Sequence, residues 1–134
     1  MRKLFVMLAL ATLAACGGDK ATNPNSDAIE GTYSLKTING SPLPFTIQSG
    51  TTSYVLKTDV ITIASNGSWT ESITYTETFN GQSSNGTDTD GGTWIRAGNA
   101  VSLNSNFGTG GWAMTYNNGS LTVSEPGLVA VFTR

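Results

Sequence analysis

Hydrophobic and polar residues alternate with a period of two along much of this chain. The segment from Ser68 to Phe79 shows the pattern best, because hydroxyl-bearing residues occupy its even positions while Trp69, Ile73 and Tyr75 occupy odd ones. Successive side chains of a strand point to opposite faces. The segment is therefore predicted to be a strand with one apolar face and one polar face that meets water.

Two carboxylates interrupt the apolar face of this predicted strand. Glu71 and Glu77 have the same parity as the apolar residues. Three arrangements fit this parity: both lie at the ends of a barrel, one points inward, or a bulge shifts the parity locally. A glycosidase pair is excluded, since six residues along one strand separate the two carboxylates by about 20 Å.

Similar alternation between Asn-Gly and other turn signals predicts about eight strands. They are expected at 31–38, 53–64, 68–79, 92–96, 100–104, 111–116, 120–124 and 128–133. A bend is expected near Lys57–Asp59, and any strand near Phe45 and Ile47 is expected to be short or at an edge, because prolines precede it. The polar, glycine-rich segment from Asn80 to Gly91 is predicted to be a long loop and a candidate partner surface.

Strands joined mostly by hairpins pair with their neighbours along the chain. The predicted fold class is all-β, a small antiparallel up-and-down barrel of about eight strands, because closing such a meander removes its exposed edges. A two-sheet β-sandwich is the alternative. A barrel of eight strands has an interior that side chains can fill or that holds one small ligand.

The first fifteen residues have the pattern of an export signal. Arg2 and Lys3 precede an apolar run over residues 4–11, and small residues follow at Ala14 and Ala15. That order is typical of a cleaved secretory signal, and the apolar run is too short for a permanent membrane-spanning helix. Residues 1–15 are therefore predicted to be removed.

The tetrapeptide Leu13-Ala14-Ala15-Cys16 resembles the lipobox of bacterial lipoproteins. The resemblance implies cleavage between Ala15 and Cys16, acyl chains on Cys16 and anchorage in a membrane. Gly17 at the next position favours the outer membrane facing the periplasm, with the cell surface as an alternative. Residues 16–28 are predicted to be the lipidated cysteine with a flexible linker, and residues 29–134 a single domain.

The charge of the chain limits the partners of this domain. Removing Arg2 and Lys3 with the signal changes the net charge from −2 to −4. A sparsely charged, acidic surface is unsuited to nucleic acid, whose phosphates require a basic face. It is equally unsuited to anionic lipid, so the acyl chains are expected to provide the membrane attachment.

Few residues in the chain could support catalysis. There is no histidine, and Cys16 is the only cysteine. Ser-His-Asp and Cys-His catalysis and most transition-metal sites are thereby excluded, and no phosphate or dinucleotide loop is present. Asp88-Thr89-Asp90-Gly91 lacks the further ligands of a calcium loop and is interpreted as a solvated hairpin tip. We expect no enzyme activity, no metal site and no cofactor.

Three segments of the domain carry a family resemblance. They are Ile29 to Leu35, then Ile38-Asn39-Gly40-Ser41-Pro42-Leu43-Pro44, then Asn66-Gly67-Ser68-Trp69. Together they resemble the small lipocalin-like domains of uncharacterised bacterial lipoproteins. The resemblance spans most of residues 29–133 and implies a lipocalin-like barrel.

The aromatic residues are the candidate ligand-lining groups. Those assigned to this role are Tyr33, Trp69, Tyr75, Trp94, Trp112 and Tyr116. A lining of Tyr and Trp would suit a small hydrophobic ligand, whereas the same rings could simply fill the core of a small domain. The sequence therefore leaves two functions open: a lipid-anchored binding module, or a structural lipoprotein with a filled core whose loops contact an envelope protein.

Overall fold

The computed structural model describes residues 28–108 and 110–134. Within these ranges the chain is all-β and has no helix, so the described part also contains no helical segment suited to crossing a membrane. The predicted signal, Cys16 and residues 17–27 of the linker lie outside the described residues.

In the described residues, ten strands form a single antiparallel sheet. They are β1 (Gly31–Ile38), β2 (Ser41–Pro42), β3 (Phe45–Ser49), β4 (Thr52–Ile63), β5 (Ser68–Phe79), β6 (Gln82–Ala97), β7 (Ala100–Ser105), β8 (Gly111–Asn117), β9 (Ser120–Glu125) and β10 (Leu128–Thr133). Strands β4 to β9 each pair with the next strand along the chain.

Strand β1 closes the sheet into a barrel. It pairs with β10 on one side and with β4 on the other, so β1 and β4–β10 form an eight-stranded closed barrel. Strands β2 and β3 are additional, and β3 pairs with the first half of β4. The predicted up-and-down barrel is confirmed, including the short strand near Phe45, and the two-sheet sandwich is wrong.

The predicted loop from Asn80 to Gly91 is wrong. Only Asn80 and Gly81 form a turn, both with positive φ, and β6 then pairs with β5 in an unbroken ladder from Gln82 to Thr93. Asp88 to Gly91 therefore lies within a strand and is not a hairpin tip. Polar side chains join the strands along this hairpin, as in the hydrogen bond of 2.7 Å from Thr76 Oγ1 to Asn85 Oδ1.

Two bulges, at Lys36 in β1 and Lys57 in β4, change which residues face the barrel interior. The register shifts between Leu35 and Thr37 against β10, and between Leu56 and Thr58 against β5. The bend predicted near Lys57 is thereby confirmed. Each lysine is exposed and has no register partner in the shifted pair. A bulge adds one such residue, so the positions that face the interior change from odd to even, or the reverse, beyond it.

The half of the barrel that contains the start of β1 is densely filled. Its interior includes Tyr33, Ile61, Leu103 and Leu121, all with no exposed surface. Arg134 covers this end. Its Nη2 donates to Tyr33 Oη at 2.8 Å, to Tyr116 Oη at 3.3 Å and to the carbonyl oxygen of Ala28. We call this half, where residue 28 enters the barrel, the packed end.

Candidate functional site

The opposite half of the barrel contains a cavity of about 220 Å³. Most of its lining is apolar, from strands on both sides of the barrel. Leu35 and Phe132 contribute from β1 and β10, and Leu56, Ile73 and Val123 contribute from β4, β5 and β9. We infer that Ile38, Ile47 and Leu128 lie nearest to its opening, because Ile38 and Leu128 are at the strand ends farthest from the packed end and Ile47 is on β3, which pairs with the far half of β4.

The barrel wall divides beside this cavity. β1 pairs with β4 only from Gly31 to Ser34, opposite Ile63 to Val60. Beyond that point β4 pairs with β3, while β1 continues beside β10 and β2. Since Ile38 on β1 and Ile47 on β3 both line the cavity, we infer that its opening lies between these two separating strands.

Two carboxyl groups lie at the boundary between the cavity and the packed end. Asp59 and Glu71 line the cavity and are only 8% and 5% exposed. Asp59 lies two positions before the fully buried Ile61 in β4, and Glu71 lies two positions after the fully buried Trp69 in β5. Two positions correspond to a rise of about 7 Å along a strand. We call these two residues the carboxyl pair.

The carboxyl pair is linked by a hydrogen bond, and the Trp112 side chain donates a second bond to Glu71. Asp59 Oδ1 is buried and has no hydrogen-bond partner among the described residues. A buried oxygen without a partner is unusual and is costly to leave unpaired. The site therefore contains a buried carboxyl oxygen without a partner, on a residue that lines the apolar cavity.

The environment of the pair disfavours ionisation of both groups. Burial, together with the charge and hydrogen bond of Glu71, raises the pKa of Asp59 to about 8. Burial raises the pKa of Glu71 too, and the hydrogen bonds from Asp59 and Trp112 oppose that rise. Burial and coupling therefore shift both carboxyl groups toward the protonated form, and the two titrate as a pair rather than independently.

A further acidic group lies beside the pair on β6. Asp90 is the register partner of Glu71 and contributes to raising its pKa. Asp90 Oδ1 accepts hydrogen bonds from Ser105 Oγ at 2.8 Å and from the Gly91 amide at 2.6 Å. Asp90 and Trp112 also line a second cavity of about 260 Å³ with Gly110 and Gly111.

An aromatic and acidic surface continues outward from the cavity along the β4–β5–β6 ribbon. The rings of Tyr54 and Tyr75 stack with centroids 4.6 Å apart, and Tyr75 Oη lies 3.4 Å from Asp88 Oδ1. The Tyr75 ring covers Gly86, where a Cβ would be 2.4 Å from the ring. The charge of Asp88, followed by burial, raises the pKa of Tyr75.

Trp112 lines the cavity, and the structure places the other five predicted lining residues elsewhere. Tyr33, Trp69 and Tyr116 are buried in the packed end. Trp94 is half-buried there and donates to the Ala64 carbonyl at 2.9 Å, while Tyr75 lies on the β4–β5–β6 ribbon. The cavity walls are mainly aliphatic.

Sequence reasoning left the partner of Glu71 unidentified. One of the proposed arrangements for the two glutamates, with one pointing inward, describes Glu71, while Glu77 is exposed. Asp59 escaped notice because its inward position depends on the bulge at Lys57. The signal available in the sequence was its place two residues before the buried Ile61 in an alternating strand.

Among the described residues, no group of three or more Asp, Glu, Cys or His residues is arranged to hold a metal ion. Comparison with known proteins gives no match to a family model, a curated protein or a solved structure.

Proposed function

We propose that this protein is a lipid-anchored lipoprotein of the cell envelope whose lipocalin-like barrel binds a small, largely hydrophobic ligand. The observation that carries the proposal is the apolar cavity of about 220 Å³ inside one half of the barrel. Binding sites for small molecules are concave, mostly apolar and supplied with a few polar groups. The carboxyl pair and Trp112 are the polar groups here.

The volume of the cavity limits the size of the ligand. An apolar cavity of about 150 Å³ accommodates benzene, with its six heavy atoms. By the same proportion, a cavity of about 220 Å³ accommodates a ligand of about nine heavy atoms. The proposed ligand is therefore far smaller than a fatty acid or a haem.

The position of the tether supports exposure of the cavity to the aqueous compartment. Ala28 lies at the packed end, where its carbonyl accepts from Tyr116 Oη at 3.1 Å. The cavity opens at the other half of the barrel. A chain that reaches the membrane from residue 28 toward Cys16 would place the packed end nearest the bilayer and leave the cavity opening distant from it.

A role in contacting an envelope protein is the second candidate, and exposed apolar side chains favour it. Ile47 on β3 and Phe79 at the end of β5 are 52% and 57% exposed. Both strands extend at the end of the barrel opposite the tether. This alternative was predicted for a barrel with a filled core. The cavity in one half of the interior therefore favours ligand binding.

Filling the cavity should weaken ligand binding. Ala130 lines the cavity, and we expect Ala130→Phe to weaken the binding of the neutral probe 2-phenylethanol by at least about tenfold. Val129 on the same strand is 41% exposed, so Val129→Phe is the matched control that should leave binding unchanged. Calorimetry of the full chain in detergent, with a detergent blank, gives both affinities. Equal binding by both variants would contradict placement of the ligand in this cavity.

Replacement of Cys16 tests the anchor. We expect Cys16→Ser to prevent acylation, which removes the buried acyl carbons that hold the protein on the membrane at roughly 0.8 kcal/mol per CH₂ group. The measurement is cell fractionation combined with labelling by a palmitate analogue. The parent chain should be labelled and sediment with membranes, while the variant should be unlabelled. A variant that keeps both label and membrane association would show that Cys16 is not the attachment point.

A further inference from the structure

We propose that the ligand is a small primary amine, with its ammonium group bound by Asp59 and Glu71 and its apolar body in the cavity. The inference rests on the proposed binding function and specifies its ligand class. It depends on three observations: a buried carboxyl oxygen without a partner, a second buried carboxyl group beside it, and an apolar cavity that both residues line.

The unpaired oxygen points to a ligand that donates hydrogen bonds. Asp59 Oδ1 is buried without a partner among the described residues, and Asp59 as a whole is only 8% exposed and lines the cavity. A primary ammonium group has three N–H donors and no acceptor. It can therefore donate to the Asp59 carboxyl group, which is not fully satisfied, and to Glu71 at the same time.

The charge around the pair selects for a cation. Glu71 is held beside Asp90 on β6, and the Trp112 indole on β8 adds a donor but no formal charge. The strands opposite, β1, β9 and β10, contribute apolar side chains such as Leu35, Val123 and Phe132. A buried negative charge without a cationic partner favours a ligand that neutralises it.

The basic residues of the described part of the chain lie away from the cavity lining. Lys36 and Lys57 are exposed at the two bulges, and Lys57 Nζ donates to Asn85 Oδ1 at 2.8 Å. Arg96 and Arg134 are at the packed end, where their guanidinium carbons lie 4.9 and 5.9 Å from the centre of the Tyr116 ring. The cavity therefore retains a negative potential that repels anions.

The β4–β5–β6 ribbon provides a suitable path for an organic cation toward the cavity. The stacked rings of Tyr54 and Tyr75 lie next to Asp88, farther along the same strands from the carboxyl pair. Aromatic faces attract cations, and a carboxylate strengthens that attraction. A divalent metal ion is less suited to the site, since calcium requires six to eight oxygen ligands and this cavity is mostly hydrocarbon.

Three probes of equal skeleton test the charge preference. They are 2-phenylethylamine, which is a cation at neutral pH, 2-phenylethanol, which is neutral, and phenylacetate, which is an anion. We expect the amine to bind the full chain at least about tenfold more tightly than the alcohol, because charge-assisted hydrogen bonds replace an unsatisfied contact. Phenylacetate should not bind measurably. The affinities are measured by calorimetry at pH 7 with a detergent blank.

Variants then locate the preference. The double variant Asp59→Asn, Glu71→Gln should reduce the preference for amine over alcohol to less than about twofold. Glu77→Gln removes the charge of an exposed carboxylate on the same strand as Glu71 and should leave the preference unchanged. Equal affinity for amine and alcohol in the parent chain would overturn the inference while leaving the proposed binding function intact. Failure of the amine to bind would overturn it as well. The comparison of probes on the parent chain decides the question even if the double variant does not fold.

Discussion

Asp59→Asn should remove most of the dependence of barrel stability on pH between about 4 and 8. The pKa of Asp59 rises from its ordinary value of 3.8 to about 8 in the folded chain, chiefly because the group is buried. The folded state therefore binds a proton that the unfolded state has lost, and the free energy of unfolding falls as pH rises through this window. A tenfold difference in proton affinity between the two states corresponds to about 1.4 kcal/mol, so the expected loss is several kcal/mol.

The direction of this effect is opposite to that of a carboxylate in an ion pair. The contribution of Asp59 to stability is greatest at or below its ordinary pKa and is lost above its raised pKa in the folded chain. The raised pKa of Glu71 changes stability with pH in the same direction. Asparagine resembles the protonated acid and can still donate to Glu71. We therefore expect Asp59→Asn to be more stable than the parent chain at pH 9 and nearly equal to it at pH 4.

Urea unfolding at a series of pH values measures this dependence. Glu77→Gln is the control, since it removes an exposed carboxylate from β5 and should follow the parent curve. A parent chain whose stability is constant from pH 4 to 8, or rises over that range, would mean that the carboxyl pair is not buried in the folded barrel.

Trp69→Ala should destabilise the barrel by about 3–5 kcal/mol, the range found for removal of a large buried aromatic side chain. Trp69 is 1% exposed, and its Nε1 donates to the Asn104 carbonyl at 3.1 Å. Removal leaves a void and takes away this hydrogen bond to the Asn104 carbonyl.

Chemical denaturation again gives the measurement. Phe107 is 73% exposed, so Phe107→Ala is the matched aromatic control and should change stability by less than about 0.5 kcal/mol. A loss for Trp69→Ala no larger than that of the control would contradict the dense packing of this end. Because the two halves of the barrel differ in packing, Ile73→Ala beside the cavity should have a smaller effect than Trp69→Ala.

Much of the fold follows from local patterns. Strands β1, β5 and β10 begin and end where alternation and turn residues predict. Asn39, Asn80 and Asn118 have positive φ, and each is followed by a glycine with positive φ. Asn-Gly pairs adopt this conformation readily and match the twist of hairpin strands. Local chemistry therefore determines the meander, and closure follows from the need to pair its edges.

The first half of β6 could not be recognised by the same reasoning. Gly86 and Asp88 occupy the face on which β5 presents Tyr75 and Ile73, so this segment has no apolar alternation. Its residues form a strand because they extend the β5 ladder, and Gly86 leaves space for the Tyr75 ring. Pairing between strands, which a single segment does not encode, outweighed the local preference of glycine and aspartate for turns.

The candidate site was hidden for a related reason. The carboxyl pair joins residues from two strands, and the bulge at Lys57 decides that Asp59 faces inward. Bulge position and strand register are tertiary properties. The aromatic residues were prominent in the sequence, but most of them stabilise the packed end, and the cavity is lined by aliphatic side chains whose role composition does not reveal.

The most direct test of the account is a carbon-13 NMR titration of the Asp59 and Glu71 carboxyl groups in the full chain, with and without 2-phenylethylamine. Two buried, coupled groups beside a ligand cavity should titrate together, with Asp59 well above its ordinary range, and the amine should shift both signals and lower the pH at which Asp59 loses its proton. Independent titration of both groups near pH 4, unaffected by the amine, would contradict it.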